Sequence, residues 1–368
     1  MRRIAIFAGI VQSILILAHF FVYETWSTLW GAPQGARLTI LRIVLAVLAV
    51  SFVPATLLAH RYFNGPVRLV YRLASIWLGV FNFLFIAACL CWIAYPLVLL
   101  TKLAASSHAI AGTFFGLAIV ASLYGVLNAA DIRVRRVTVK LPGLPASWRG
   151  RVAALVTDTH LGHIKGYLFL TRLVGMLRQL KADVVFISGD LFDGTQVDAR
   201  RLVSPWKQLR PKFGSYFVTG NHEEFSDPRK YLEAIEGSGI HVLRSEKVNL
   251  DGLQVVGVPY HDTGDAKHFE SILKNADLDR ARASVLLAHV PQGLPIAEKQ
   301  GISLQLSGHT HGGQIWPFTW FTSRIFGDYT YGLKKFGELL VYTSSGAGTW
   351  GPPMRVCTQP EIVLISFE

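Results

Sequence analysis

Hydrophobic spacing divides the chain in two. Over the first 130 residues, four stretches contain no Asp, Glu, Lys or Arg: Ile4 to Tyr23, Ile43 to Ala59, Leu73 to Thr101 and Ala109 to Ala130. A helix rising 1.5 Å per residue needs roughly 20 residues to cross the hydrocarbon layer. Three of the stretches meet that length. The second does so if it begins near Leu38 and Arg42 extends its guanidinium to the interface. The pattern predicts an all-α bundle of about four transmembrane helices over residues 1–130. The first stretch also has the basic start and apolar middle of a secretory signal. It is long for one and shows no small-x-small site before Glu24, so it reads as an uncleaved anchor.

After Asp131 the periodicity changes. The segment IRVRRVTVKLPGLPASWRG alternates and then breaks at prolines and glycine, which predicts a short strand and a juxtamembrane linker over 131–148. From residue 149 to 368, five short apolar runs each end in a polar cluster: VAALV before TDTH, ADVVFIS before GDLFD, SYFV before TGNHE, SVLLA before HVP, and ISLQL before SGHTHGGQ. Such runs read as buried strands. Helical patterns at Tyr167 to Leu180, Pro228 to Ser238 and Asp265 to Lys274 lie between them. A meander is expected from Ile240 to Pro259, turning at Asp251-Gly252. The second half is therefore an α/β domain with mixed sheets, whose polar clusters sit where strands end.

Composition sharpens this division. With 51% hydrophobic and 16% charged residues, the chain is neither a disordered tail nor a polycation. The formal charge of +12 lies almost wholly in the apolar half, where twelve Lys and Arg face only Glu24 and Asp131; the remainder holds 24 against 22. That leaves no basic surface for a nucleic-acid partner. Arg2 and Arg3, then Arg61, Arg68 and Arg72, then Arg133, Arg135, Arg136 and Lys140 occupy one set of loops. The other loops hold Arg37, Arg42 and Lys102. The positive-inside rule then places both termini and the α/β domain on the cytoplasmic side. The spans carry little beyond His19, Asn82 and marginal Arg42 that could serve a conduction path, and His19 is expected at the interface. Cys89, Cys91 and Cys357 have no disulfide or zinc-cluster spacing, and Cys357 reads as a small buried hydrophobe.

The polar clusters contain Asp158 and His160 in D-x-H, Asp190 and Asp193 in G-D-x-x-D, and Asn221, His222 and Glu223 in G-N-H-E. They also contain His289, and His309 and His311 in G-H-T-H-G-G. Carboxylate oxygens and neutral imidazoles are ligands for Zn2+, Mn2+ and Fe, and seven or eight of them hold two metals. Two cations about 3.5 to 4 Å apart can clamp a phosphoester and acidify a water, while a histidine supplies the leaving group's proton. Asp193 and Glu223 are expected to orient the ligands. His163, His241, His261 and His268 lack a strand-end setting and are left as surface or supporting residues.

This ordered set resembles the calcineurin-like metallophosphoesterase superfamily, over about 150 of the last 220 residues. GHTHGGQ, together with the ending SSGAGTWGPPMRVCTQPEI, resembles its membrane-associated bacterial branch. The resemblance implies a four-layer α/β/β/α sandwich with a binuclear site at one edge. It assigns Asp158, His160, Asp190 and His311 to one metal, and Asp190, Asn221, His289 and His309 to the other. Asp190 is then the bridge, and His222 is a catalytic group beside the metals rather than a ligand. The expected cofactors are two divalent ions, Mn2+ first, with Zn2+ or Fe as alternatives.

The run Ile315 to Phe321, IWPFTWF, follows the last ligand loop and is rich in side chains that favour a membrane interface. It reads either as a lipid-facing element or as a loop packed on its own domain. Anchor and run together give the leading expectation, a phosphoesterase acting on a lipid-linked or membrane-proximal phosphoester or pyrophosphate. A phosphodiesterase or phosphatase on a soluble nucleotide or protein is the second, and a metal-binding interaction module without turnover the third.

Overall fold

The computed structural model describes residues 2–101, 106–225 and 227–368. It resolves two compact units, Met1–Leu127 with Gly351–Met354, and Asn128–Trp350 with Arg355–Glu368. Lys102 lies outside the described residues.

The apolar stretches form α1 (Arg2–Leu29), α2 (Ala36–Arg61), α3 (Gly65–Thr101) and α4 (Ser107–Asn128), all long and apolar enough to cross a membrane. Because α2 starts at Ala36, Arg42 falls in its first two turns, where its Nε donates to Tyr23 Oη at 3.2 Å. His19 lies within α1. It is buried, stacked on Phe81 with ring centroids 3.6 Å apart. Its Nε2 accepts the Trp77 indole N–H at 2.9 Å and its Nδ1 lies 2.7 Å from the Leu15 carbonyl. An indole only donates and a carbonyl only accepts, so the ring is fixed as the neutral Nδ1–H tautomer, a satisfied packing residue.

Among the described residues, the second unit contains twelve strands. They are β1 (Arg133–Val139), β2 (Val152–Val156), β3 (Val184–Ser188), β4 (Ser215–Val218), β5 (His241–Val242), β6 (Glu246–Leu250), β7 (Leu253–Val258), β8 (Ser284–Ala288), β9 (Leu304–Ser307), β10 (Gly332–Phe336), β11 (Leu339–Thr343) and β12 (Glu361–Phe367). Its helices are α5 (Tyr167–Leu180), α6 (Ala199–Val203), α7 (Asn221–Glu224), α8 (Arg229–Glu236), α9 (Ala266–Asn275), α10 (Leu294–Lys299) and α11 (Phe318–Phe326). Two mixed six-stranded sheets result, ordered β1-β12-β2-β3-β4-β5 and β10-β11-β9-β8-β7-β6.

Period-2 alternation sorts each strand's residues between two faces. Ala153, Leu155, Val184 and Phe186 of one sheet meet Val255, Val285, Leu287, Leu304 and Leu306 of the other in the inter-sheet core. The opposite residues of the second sheet, Val256, Leu286 and Ala288, pack with Phe269, Ile272 and Leu273 of α9 and Leu294 of α10. The amphipathic α5, with Leu170, Leu173, Val174 and Leu177 buried, connects the parallel strands β2 and β3. All five expected strands and all three expected helices are present. Asp251 and Gly252, both at positive φ (52° and 93°), make the two-residue turn between β6 and β7.

The segment 131–148 contains the expected short strand. β1 pairs in parallel with β12 along its whole length, and Trp148 is fully buried with its indole donating to Leu250 O. The segment RVRRVTV carries a real sheet edge, and the Pro-Gly break only turns the chain toward β2. Cys357 departs from expectation: it is exposed, at φ 67°.

Candidate metal centre

β2, β3 and β4 run parallel in one sheet, and β7, β8 and β9 run parallel in the other, so two sets of carboxyl ends converge at one edge. Asp158 and His160 follow β2, Asp190 follows β3, and Asn221 and His222 open α7 after β4. His289 follows β8, and His309 and His311 follow β9. Asp158, His160, Asp190, His309 and His311 all have φ between 47° and 68°. Left-handed backbone at five non-glycine residues of one edge is a conformational cost of the kind that functional sites carry.

Close approach is built in by glycine. A Cβ on Gly220 would lie 2.1 Å from Asp190 Oδ1, and one on Gly308 would lie 2.2 Å from Asp158 Oδ2. Both positions have to be bare for the two carboxylates to sit between the loops.

The side chains gather into sets whose ligand atoms lie within 4.8 Å of one another: Asp158, His160 and His311; Asp190, His289 and His309; and His160, Asp190 and His222. Asp190 thus stands in two sets. His160 Nε2 and His311 Nε2 are 2.9 Å apart, with Asp158 Oδ1 at 4.0 and 3.5 Å. His289 Nε2 lies 3.2 Å from both Asp190 Oδ2 and Asn221 Oδ1, and His309 Nδ1 is 2.9 Å from the same Asn221 oxygen. Imidazole nitrogens and anionic oxygens turned inward on common points are a donor set that fits divalent cations. All seven ligand candidates are brought together. Geometry also leaves His222 within reach of one cluster.

Electrostatics prepares most of these imidazoles to coordinate. Burial holds His160 and His311 well below the ordinary histidine value, and burial plus the neighbouring His289 charge lowers His309 to about 4. Burial also opposes charge on His289, but the Asp190 carboxylate outweighs it and lifts the ring to about 10. Asp190 in turn is held well below the usual carboxylate range, because His289, His222 and His160 outweigh its burial. Asp158 is pushed up to about 6 by burial and, after opposition from His289, by Asp190.

The supporting groups are ordered by hydrogen bonds. Glu223 accepts from the amides of Asp190 at 3.0 Å, Gly220 at 2.9 Å and Phe192 at 2.8 Å, joining the β3 and β4 loops. Burial pushes this carboxyl up to about 8 against those amides. Asp193 spends its carboxylate on Thr195, and its carbonyl receives His222 Nδ1 at 2.8 Å. That bond leaves His222 Nε2 facing Asp190 Oδ2, 4.0 Å away. Asp193 and Glu223 therefore act as orienting groups, as expected. His163 is fully buried, whereas His241, His261 and His268 are exposed.

One residue escaped sequence reasoning. Arg355 is fully buried with no carboxylate in contact; its Nη2 donates to Ser345 O at 2.5 Å and Gly348 O at 2.7 Å, and its Nη1 to the His311 carbonyl at 3.2 Å. The loop it braces presses on the first ligand: Gly348 N donates to Asp158 O, and Ala347 N to Thr157 O. Nothing in R-V-C-T distinguishes such an arginine from a surface one. Aromatic rings border the cluster as well. Phe225 and Trp350 pack on His222, with centroids 4.4 and 5.9 Å away, and Phe326 lies 6.0 Å from His309.

Residues 152–313 match the model of the calcineurin-like phosphoesterase family. A transmembrane protein with metallophosphoesterase domain from Danio rerio is 29% identical over 97% of this chain and 88% of its own length. Another of the same description from Bos taurus is 34% identical over 68% of this chain and 60% of its own. An uncharacterized metallophosphoesterase of Campylobacter jejuni is 30% identical over 68% of this chain and 66% of its own. Against the last two, the chain spans less than two thirds of the relative. With the strand-end cluster described above, these likenesses establish that the chain carries a calcineurin-like metallophosphoesterase domain, a metal-dependent phosphoesterase unit following four helices able to cross a membrane.

Proposed function

We propose that the protein is a membrane-anchored, binuclear-metal phosphoesterase that hydrolyses a lipid-linked or membrane-proximal phosphoester or pyrophosphate. The observation that carries the reading is the sharing of Asp190 between two sets of inward-turned ligand atoms. Asp158, His160, Asp190 and His311 would hold one ion, and Asp190, Asn221, His289 and His309 the other, with Mn2+ the first candidate. Two such ions supply Lewis-acid neutralisation of the phosphoryl oxygens and an acidified water. His222, with Nδ1 committed to the Asp193 carbonyl, presents Nε2 to the substrate and donates a proton to the leaving oxygen. Glu223 and the Gly220 approach keep Asp190 in place. The distribution of positive loops supports a cytoplasmic position for this domain, and the resemblance of GHTHGGQ to the membrane-associated bacterial branch supports a membrane-linked role.

The test is hydrolysis of bis(p-nitrophenyl) phosphate and a panel of lipid pyrophosphates by the detergent-solubilised full chain with Mn2+, with and without chelator. Asp190→Ala is expected to abolish turnover and bound metal together, and a lipid is expected to be the preferred substrate. Metal-independent turnover would refute the mechanism; equal turnover on soluble esters would refute the lipid preference.

A further inference from the structure

We propose that α11 docks on the lipid bilayer, seating its aromatic side chains in the headgroup layer beside the metal centre. This inference deepens the lipid-directed reading above by naming the surface that the catalytic unit rests on.

Within the run after the last ligands Ile315 is buried, but from Phe318 the chain forms α11, and none of the nine residues of that helix is buried. Phe318, Trp320 and Phe321 are each about half exposed, and Ile325 is 75% exposed. A soluble domain does not ordinarily spend two turns of helix on such residues without covering them. The helix is nevertheless firmly held. Gly313 approaches it so closely that a Cβ there would lie 2.3 Å from Thr319 Cα, and Thr310 Oγ1 donates to Thr330 O at 2.7 Å just beyond its end. It is a rigid projection from the ligand loop, not a frayed one.

The chemistry of the patch selects the occupant. No Asp or Glu occurs from Gln300 to Gly327, and Arg324 lies over the Trp320 ring at 5.0 Å. Trp and Phe alternating with Thr and Ser, with one cation and no anion, is the composition of an element lying at headgroup depth. Only residues 129–132 join α4, a helix able to span a bilayer, to β1, so the catalytic unit is tethered closely to a membrane-spanning helix. Two aromatic side chains carry apolar surface to the reaction centre: Phe326, the last residue of α11, lies 6.0 Å from His309, and Trp350, 59% exposed and hydrogen-bonded in both directions with Gln314, packs on His222. α11 and Trp350 both follow residues 152–313, the range that matches the family model.

The test uses the full chain in phospholipid nanodiscs, with Cys89, Cys91 and Cys357 replaced by Ser and a single environment-sensitive fluorophore at Ile325→Cys. Lys212→Cys serves as an exposed control on the opposite kind of surface, a polar loop. The expected result at position 325 is blue-shifted emission, quenched roughly twofold or more by lipids brominated on the acyl chain, with position 212 unaffected. Phe321→Cys repeats the measurement should the first variant fail to assemble. Water-like emission at 325 and 321 would overturn the proposal. Blue-shifted emission without lipid quenching would also overturn it, in favour of a protein partner or a second copy of the chain. No turnover enters this readout, so a wrong substrate assignment and a wrong docking surface fail separately.

Discussion

Replacing Arg355 by methionine separates fold stability from metal affinity. The guanidinium is the only donor among the described residues for the carbonyls of Ser345 and Gly348, both buried. Stranding two buried acceptors costs about 1–3 kcal/mol each. Against this, burial pulls Arg355 down to about 10, so keeping it charged already costs roughly 3 kcal/mol, which the substitution recovers. The net loss of stability is therefore small, about 0–3 kcal/mol. The local consequence is larger. The 345–348 loop holds the backbone of Thr157 and Asp158 through Ala347 N and Gly348 N, and the guanidinium holds the His311 carbonyl, so two ligands of the Asp158–His160–His311 set lose their brace. Loss of such support typically weakens metal affinity by about 10–100-fold. Titration of the detergent-purified chain with Mn2+, followed by electron paramagnetic resonance, should show one site weakened by that factor and the Asp190–His289–His309 site nearly unchanged. Arg355→Lys should recover only part, since an ammonium lacks the fork that spans several carbonyls. Equal weakening of both sites, or a lowered melting temperature with unchanged affinities, would refute the reasoning.

Three further expectations concern protons, chemistry and packing. His289 is lifted to about 10 and therefore protonated at neutral pH, while His160, His309 and His311 are held neutral; Mn2+ binding should release about one proton at pH 7, and affinity should rise with pH until near 10. Calorimetry in two buffers of different ionisation enthalpy measures this, and zero release would contradict the Asp190–His289 pairing. Below pH 6, where Asp158 takes up a proton, the first site should weaken as well. His222→Ala should slow hydrolysis of an alkyl ester by roughly 100-fold or more but barely affect a p-nitrophenyl ester, whose leaving group needs little protonation; an equal loss on both substrates would remove His222 as proton donor. Trp148→Ala should destabilise the catalytic unit by about 3–5 kcal/mol, read as a drop in its unfolding midpoint, because the ring is fully buried between Phe213 and Phe367 and donates to Leu250.

What could be read from the residues follows from where information is local. Strand, turn and ligand are contiguous in VAALVTDTH or ISLQLSGHTH, so both the element and the chemistry at its end were legible, as was the α9 start at the Asp265 cap. Membrane helices were equally plain, because charge is excluded from them over many residues. Long-range partnership was not. β12 inserts between β1 and β2 only because residues 361–367 return across the whole domain, and nothing in IVLISF names its neighbours. The burial of Arg355 has the same origin: its partners are backbone carbonyls of another loop, which carry no sequence signature. The bond between His19 and Trp77 is equally invisible in the sequence, because the two lie on different helices.

The left-handed backbone of five metal-centre residues bears on how this domain can change over generations. At each of those positions glycine would relieve roughly 1 kcal/mol of backbone cost while deleting a ligand. A library selected only for resistance to heat should drift toward glycine at Asp158, His160, Asp190, His309 and His311. One selected for turnover should be driven back. The most stable descendants of this domain would then be the ones that had ceased to bind metal.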